Sequence, residues 1–181
     1  MTAFLFPLSL FTAPALAGQV DGWVMAGSRP NSYAMDVDTE ILRSGTASAR
    51  LASTANRILG FGTMMQNFSP EKYLNKRVQM SGWVRSLDVE EWAGLWMRVD
   101  GDGLLPLAFD NMSDRPVQGS TDWTRYSIVL DVPEEATNIA FGILLNGTGT
   151  VWLDDLEFTV VTDVPTTNTQ RDEPANLGFE Q

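Results

Sequence analysis

From residue 48 onward, apolar and polar positions alternate with the period of strands that bury one face. The segments are 48–53 (SARLAS), 62–68 (GTMMQNF), 77–87 (RVQMSGWVRSL), 94–100 (GLWMRVD), 105–110 (LPLAFD), 123–132 (WTRYSIVLDV), 138–145 (NIAFGILL) and 150–161 (TVWLDDLEFTVV). In 77–87, Val78, Met80 and Val84 take one face; Gln79, Ser81, Trp83 and Arg85 take the other. In 94–100, Leu95, Met97 and Val99 point inward, and Trp96, Arg98 and Asp100 outward. In 123–132, Tyr126, Ile128 and Leu130 oppose Arg125, Ser127 and Val129. Pro106 confines 105–110 to an edge or a bulge. "NGTG" and "VDGDGLL" carry hairpin-turn signals. The one helical signal is "SPEKYLNKR", a short turn with Ser69 as N-cap and Pro70 at the first position. "PEEAT", residues 133–137, reads as a connecting turn. Strands separated by turns at near-regular spacing predict an all-β, antiparallel two-sheet sandwich, each sheet with one wet face.

The ends of the chain break this pattern. Residues 3–16 are apolar and uncharged, and Ala15-Leu16-Ala17 forms a small-x-small cleavage pattern before Gly18. The run is too short to span a bilayer. It predicts a signal peptide over residues 1–17, although no Lys or Arg precedes it, and a secreted or periplasmic product without membrane insertion after cleavage. The sandwich is then expected over 18–161. Residues 162–175 have linker composition, and 176–181 (NLGFEQ) turn apolar again.

Composition narrows the chemistry. A chain of 181 residues with 44% hydrophobic content suits one globular domain. A net charge of −11 repels phosphate backbones and argues against nucleic acid as a direct partner. There is no histidine and no cysteine. That removes the commonest general base, thiol nucleophiles, disulfides and thiolate metal sites. An enzyme built on this chain would depend on carboxylates, Ser/Thr, Tyr, Lys or an oxygen-ligated metal.

The stretches "ASARLAST", "FGTMMQNFSPEKYLNKRVQMSGWVRS", "WAGLWMRVDG" and "LAFDNMSDRPVQGSTDWTRYSIVLDVPEEATNIAFGILLNGTGTVWLDDLEF" together resemble a bacterial family of galactose-binding-like jelly-roll domains. Its members are mostly uncharacterised and occur alone or joined to helix-turn-helix regulators. The resemblance runs over about residues 20–181 and implies the jelly-roll form of the sandwich. It brings no activity with it. A wider resemblance links the chain to carbohydrate-binding modules through the Asp-Asp-Leu ending of the last strand, residues 154–156. Such modules often open with an N-x-G-F-E strand, which this chain carries at its other end, residues 176–180. The resemblance implies that 176–181 docks as the missing first strand, and that Glu180 and Asp155 help to hold a structural calcium ion. The alternatives are the start of a second domain or a free tail, with Asp154 and Asp155 as solvated or turn-bonding acids.

Trp83, Arg85, Trp96 and Arg98 lie opposite the apolar alternation, and Trp92 sits before its strand, near Glu90 and Glu91, as a rim residue or a lid. If the strands are neighbours, these side chains share one surface. Indole faces stack on sugar rings, and guanidinium forks bind hydroxyls or carboxylates. The competing expectation makes Trp83 and Trp96 a second layer of core with the arginines above them. Asp110, with Asn111 and Arg115, is the ligand-contact candidate in the polar segment 109–123; the competing and favoured expectation is a loop tied down by its own Asx turns. Asp88, Glu90, Glu91, Asp100, Asp102, Asp110, Asp114, Asp154 and Asp155 offer carboxylates, but none has a spacing that demands acid/base pairing. The sequon Asn146-Gly147-Thr148 reads as turn chemistry. The expected function is a non-catalytic, extracytoplasmic module that binds a carbohydrate or another polar small molecule. A structural or protein-interaction domain without a small ligand and a carboxylate-dependent hydrolase are the alternatives.

Overall fold

The computed structural model describes residues 20–168. They form β1 (Val24–Gly27), β2 (Tyr33–Asp38), β3 (Ser48–Ser53), β4 (Phe61–Phe68), β5 (Lys76–Asp100), β6 (Ala108–Asp110), β7 (Val117–Val132), β8 (Asn138–Asn146) and β9 (Thr150–Val161). Every pairing is antiparallel. The 25-residue β5 organises the molecule. Its first half, Lys76 to Leu87, pairs with β7 and β9; its second half, Trp92 to Asp100, pairs with β8, and Met97 to Val99 pair with β6. A front sheet therefore reads β1-β4-β8-β5-β6 and a back sheet reads β2-β3-β9-β5-β7. The two expected strands 77–87 and 94–100 are one strand that changes sheets. Residues 88–93 contain no Gly or Pro, so the chain bends there without reversing. Asp88 takes a positive φ of 52°. Register shifts against β7 fall between Val84, Ser86, Val89 and Ala93, the bulged geometry by which a strand turns a sandwich corner.

Between the sheets lies the core. Val78, Met80 and Val84 from the back half of β5 meet Leu95, Met97 and Val99 from its front half, all without solvent exposure. Ile139, Ile143 and Leu145 of β8 and Ile128 and Leu130 of β7 complete the layer. One end is closed by edge-to-face rings: Phe141 lies 4.9 Å from Phe158 and 5.6 Å from Trp23. Val129 points away from this core yet is only 1% exposed, because the chain after β9 folds back over it. The Thr167 amide donates to the Val129 carbonyl at 2.8 Å, and the Val129 amide donates to Thr167 Oγ1 at 2.8 Å. Arg77 Nη1 donates to the Val164 carbonyl. The first part of the expected linker is thus fastened across the back sheet, and Asn168 Oδ1 then accepts the Phe109 amide at 3.1 Å, at the edge of the front sheet.

Other expectations shift for local reasons. "NGTG" is no hairpin: β8 belongs to the front sheet and β9 to the back, so the turn carries the chain between layers. Gly149 (φ 131°) permits the crossing, since a Cβ there would come 2.7 Å from Val89 Cα. Residues 69–75 form hydrogen-bonded turns around the Pro70 carbonyl instead of helix. Pro106 delays β6 until Ala108. Val117 to Asp122, expected in a loop, already belong to β7, and the short strands β1 and β2 carried too little alternation to be foreseen. The expected signal peptide, the segment 176–181 and Glu180 lie outside the described residues.

Candidate functional site

The outward face of the front sheet is hollow. Along β8, the inward residues are large (Ile139, Phe141, Ile143), while outward Ala140 and Gly142 are small. They run between the outward rows of β5 and β4, which carry Trp92, Trp96 and Arg98 on one side and Phe61, Thr63 and Met65 on the other. The result is a cleft of about 370 Å³. Ala26 and Gly27 of β1 close one side, Phe109 and Asn111 at β6 the other, and Leu144 and Asn146 of β8 complete the lining.

Gly142 explains how Trp96 is held. It sits between Trp96 and Met65 in register, and an added Cβ would lie 2.2 Å from the Met64 carbonyl and 3.1 Å from the indole nitrogen. The bare backbone lets the indole lie across β8 and donate from Nε1 to Thr63 Oγ1 on β4 at 2.8 Å, two strands away. Thr63 Oγ1 in turn donates to the Ile143 carbonyl at 2.8 Å. Trp96 is 8% exposed and packs with Ala140, Leu144, Met65, Trp92 and Phe109. It is a fixed floor, with Trp92 half-buried beside it.

Electrostatically the cleft is almost neutral. Its lining contains no Asp or Glu, and Arg98 is its one ionic side chain. Residues i and i+2 of a strand share a face, so Arg98 meets Asp100: Nε lies 2.7 Å from Oδ1, and Nη2 donates to Oδ2 at 3.1 Å. Asn138 Nδ2 also donates to Asp100 Oδ2. Asn111, also in the lining, accepts the Ser113 amide at Oδ1 at 3.1 Å. The surface can therefore offer ring faces for stacking, plus a few rim donors.

The structure divides the expected site. Trp92, Trp96 and Arg98 share the cleft. Trp83 and Arg85 do not, because β5 has not yet changed sheets at those positions. They lie on the outer face of the back sheet, where the Arg43 guanidinium covers Trp83 at 4.4 Å and that of Arg85 lies 5.9 Å from the Trp152 ring. Trp152 Nε1 donates to Asp38 Oδ2, and Arg50 forks onto buried Asp36. That face is a bonded layer. Burial alone would push the Asp38 carboxyl up, but hydrogen bonds from Ile41, Trp152 and Glu40, with the Arg50 charge, hold it below its ordinary value.

Asp110 is a further correction. After Pro106 the alternation restarts with Phe109 facing out and Asp110 facing in. Its side chain is fully buried and accepts from Arg115 Nη2 at 2.5 Å and from the Met112 amide at 2.8 Å. It braces the loop that presents Asn111 and does not line the cleft. Asp154 Oδ2 accepts the Arg43 and Ser44 amides, and Asp155 Oδ1 accepts the Ser44 hydroxyl. Among the described residues no group of three or more Asp or Glu side chains is placed to hold a metal ion. The residues missed were Phe61, Thr63, Met65 and Phe109; the small-large alternation of 139–143 was the available signal.

No family model matches the chain. Similar folds appear among solved structures. The CBM22-1 xylan-binding domain of Paenibacillus barcinonensis Xyn10C superposes with a TM-score of 0.58 at 14% identity, covering 81% of this chain and 90% of that one. The chain has the fold of a jelly-roll β-sandwich. The same fold recurs in the C-terminal family 22 carbohydrate-binding module of Clostridium thermocellum Xyn10B (TM-score 0.54, 16% identity, 81% of this chain and 90% of that one). It recurs again in TmCBM61, solved with β-1,4-galactotriose (TM-score 0.53, 12% identity, 80% of this chain and 92% of that one). In sequence, the jelly roll is similar to YbfP, an uncharacterised HTH-type transcriptional regulator of Bacillus subtilis, with 45% identity over 170 residues. The match takes in 90% of this chain, which spans 58% of that relative's length.

Proposed function

We propose that this jelly-roll domain is a non-catalytic binding module that holds a carbohydrate, or another small molecule with a flat apolar face, in the front-sheet cleft. The observation that carries this reading is the fixed Trp96 floor, flanked by Trp92, Phe61 and Phe109 and edged by Arg98, Asn111 and Asn146. Ring faces take the C–H face of a sugar, and the amides and the guanidinium take its hydroxyls. The near-neutral lining supports an uncharged ligand. It also supports binding over hydrolysis, since a glycosidase needs two carboxylates flanking one bond. Carbohydrate-binding modules of the same fold support the ligand class by analogy.

The test is a titration of intrinsic tryptophan fluorescence against a panel of neutral oligosaccharides. Binding should be lost in Trp92→Ala and retained in Trp83→Ala. Equal losses, or no response across the panel with either protein, would defeat the reading. The similarity to a regulator supports a related role, in which ligand occupancy of the cleft is sensed by an attached module; this reading uses the same cleft. The apolar run at residues 3–16 supports an extracytoplasmic location, and N-terminal sequencing of protein recovered from the periplasm or medium tests it. A structural calcium ion at Asp155 remains part of the proposal only together with Glu180. A melting temperature unchanged by chelator would remove it.

A further inference from the structure

An arginine on the wall of a cleft ordinarily suits a carboxylate ligand, because its planar fork takes two carboxylate oxygens at once. In this cleft the fork is already taken. Arg98 follows Trp96 on the outward face of β5, and Asp100 follows Arg98 on the same face. Arg98 Nε and Nη2 both bind Asp100, at 2.7 Å and 3.1 Å, so the Asp100 carboxylate sits where a ligand's carboxylate would have to go. Asp100 is itself held from the other side. Its Oδ2 accepts from Asn138 Nδ2 on β8 at 3.0 Å, and Asn138 Oδ1 accepts from Asn67 Nδ2 on β4 at 3.2 Å. A polar ladder thus crosses three neighbouring strands, β4, β8 and β5, and fixes the carboxylate beside Arg98. Asp100 does not line the cleft; Arg98 does, with 45% of its side chain exposed. Among the described residues no acceptor is bonded to Arg98 Nη1. A ligand therefore meets a single donor, suited to a hydroxyl, beside a charge pair whose sum is zero. An arriving carboxylate would have to break the Arg98 fork or lie next to Asp100 as a like charge, on a chain whose net charge is −11.

We infer that Asp100 is the specificity-determining residue of the front-sheet cleft. By tethering and neutralising Arg98 it excludes carboxylate-bearing ligands, such as uronate sugars, and admits their uncharged counterparts. It acts through Arg98 and is a positioning residue, not a ligand contact. The inference rests on the cleft reading above for the identity of the ligand, but the charge that Asp100 cancels beside Trp92 and Trp96 is measurable without one. Asp100→Asn keeps the shape of the side chain and an acceptor for Arg98 while leaving the guanidinium charge uncompensated. One substitution outside the lining should therefore turn the cleft's preference toward acids.

The first measurement needs no sugar. Tryptophan fluorescence of the full chain is quenched with iodide, an anion, and with acrylamide, which is neutral, at constant ionic strength. The part due to Trp92 is the difference from the matching Trp92→Phe protein. Its iodide-to-acrylamide ratio should rise in Asp100→Asn and fall in Arg98→Gln, which leaves the carboxylate alone. Glu157→Gln removes an equal charge from the exposed Arg125 pair on the back sheet and should leave the ratio where it was. A ratio unmoved by Asp100→Asn and Arg98→Gln, or moved as much by Glu157→Gln, overturns the inference. The second measurement uses uronate oligosaccharides, each titrated as the free acid and as its methyl ester. Wild type should favour the ester, and Asp100→Asn should shift the acid-to-ester affinity ratio toward the acid by about fivefold, the factor that an exposed ion pair can supply. Arg98→Gln should shift it the other way, which keeps the test open if Asp100→Asn folds poorly. Equal binding of acid and ester by wild type, or a ratio that neither variant shifts, overturns the specificity claim and leaves the cleft reading standing. If no oligosaccharide of either kind binds, the carbohydrate reading fails, and the iodide ratios alone decide whether Asp100 sets the charge of the cleft.

Discussion

Removing the carboxylate of Asp110 tests whether that residue is a strut or a ligand contact. Its side chain has no solvent exposure, while that of its partner Arg115 is one-third exposed. Asp110→Ala takes the acceptor from two donors at once, the Arg115 guanidinium and the Met112 amide. Met112 is itself completely buried, so its amide cannot turn to water. An unsatisfied buried donor costs about 1–3 kcal/mol. Breaking a buried ion pair by deleting one partner costs about 3–5 kcal/mol in total. The exposed side of Arg115 and its second contact, to Asp114 at 2.8 Å, place the expected loss at the lower end, about 3 kcal/mol. For a domain of this size that is roughly 6–12 °C in Tm. The assay is a thermal melt followed by circular dichroism, with urea unfolding to obtain the free energy. Asp114→Ala is the control: its side chain is 67% exposed, and its pair with Arg115 should contribute under about 1 kcal/mol. A drop below about 2 °C in Asp110→Ala, or an equal drop in both variants, would refute the argument.

Three further outcomes follow from the same geometry. Trp96→Phe keeps the ring floor but removes the indole donor to Thr63; it should cost about 1 kcal/mol, read as about 2–4 °C in Tm. Gly142→Ala should be far worse, because a methyl would meet the Met64 carbonyl at 2.2 Å; a melt within about 2 °C of wild type, about 1 kcal/mol or less, would show that the sheet yields there. In acid, Asp38 has its folded pKa depressed, so its stabilisation is complete above the unfolded carboxyl value of about 4 and is lost as pH falls through the folded value. Unfolding free energy should therefore fall less steeply below about pH 4 in Asp38→Asn than in wild type, measured by urea titrations at several pH values.

Much of the architecture was legible because one wet face leaves a period of two in the sequence. β3 and β9 have the bounds that alternation gives them, and the inward sets of β5 are as the pattern reads. The continuity of β5 was not legible. A strand that bends between layers needs no turn residue, and Trp92, being polar at one end and apolar at the other, fits either face. β8 is buried on both faces, so its alternation is one of size and not of polarity, and the hollow over Ala140 and Gly142 escaped a reading based on polarity. Trp83 and Arg85 look equivalent to Trp96 and Arg98 in sequence; only the change of sheet between them separates a covered layer from an open cleft. Asp110 misled because a charged residue in a polar stretch is expected outside. Its burial depends on Arg115, five residues later, a partner that no local period announces.

One strand running through both layers also governs how the molecule comes apart. Neither sheet can lose its β5 segment while the other keeps it, since one strand runs through both as the neighbour of each edge. The sandwich has no seam along which half of it would melt, and its assembly requires chain ends far apart in sequence to find the same strand before either face is complete. Trp83 and Trp152 on one side and Trp92 and Trp96 on the other would then vanish from the native spectrum together, with a single midpoint.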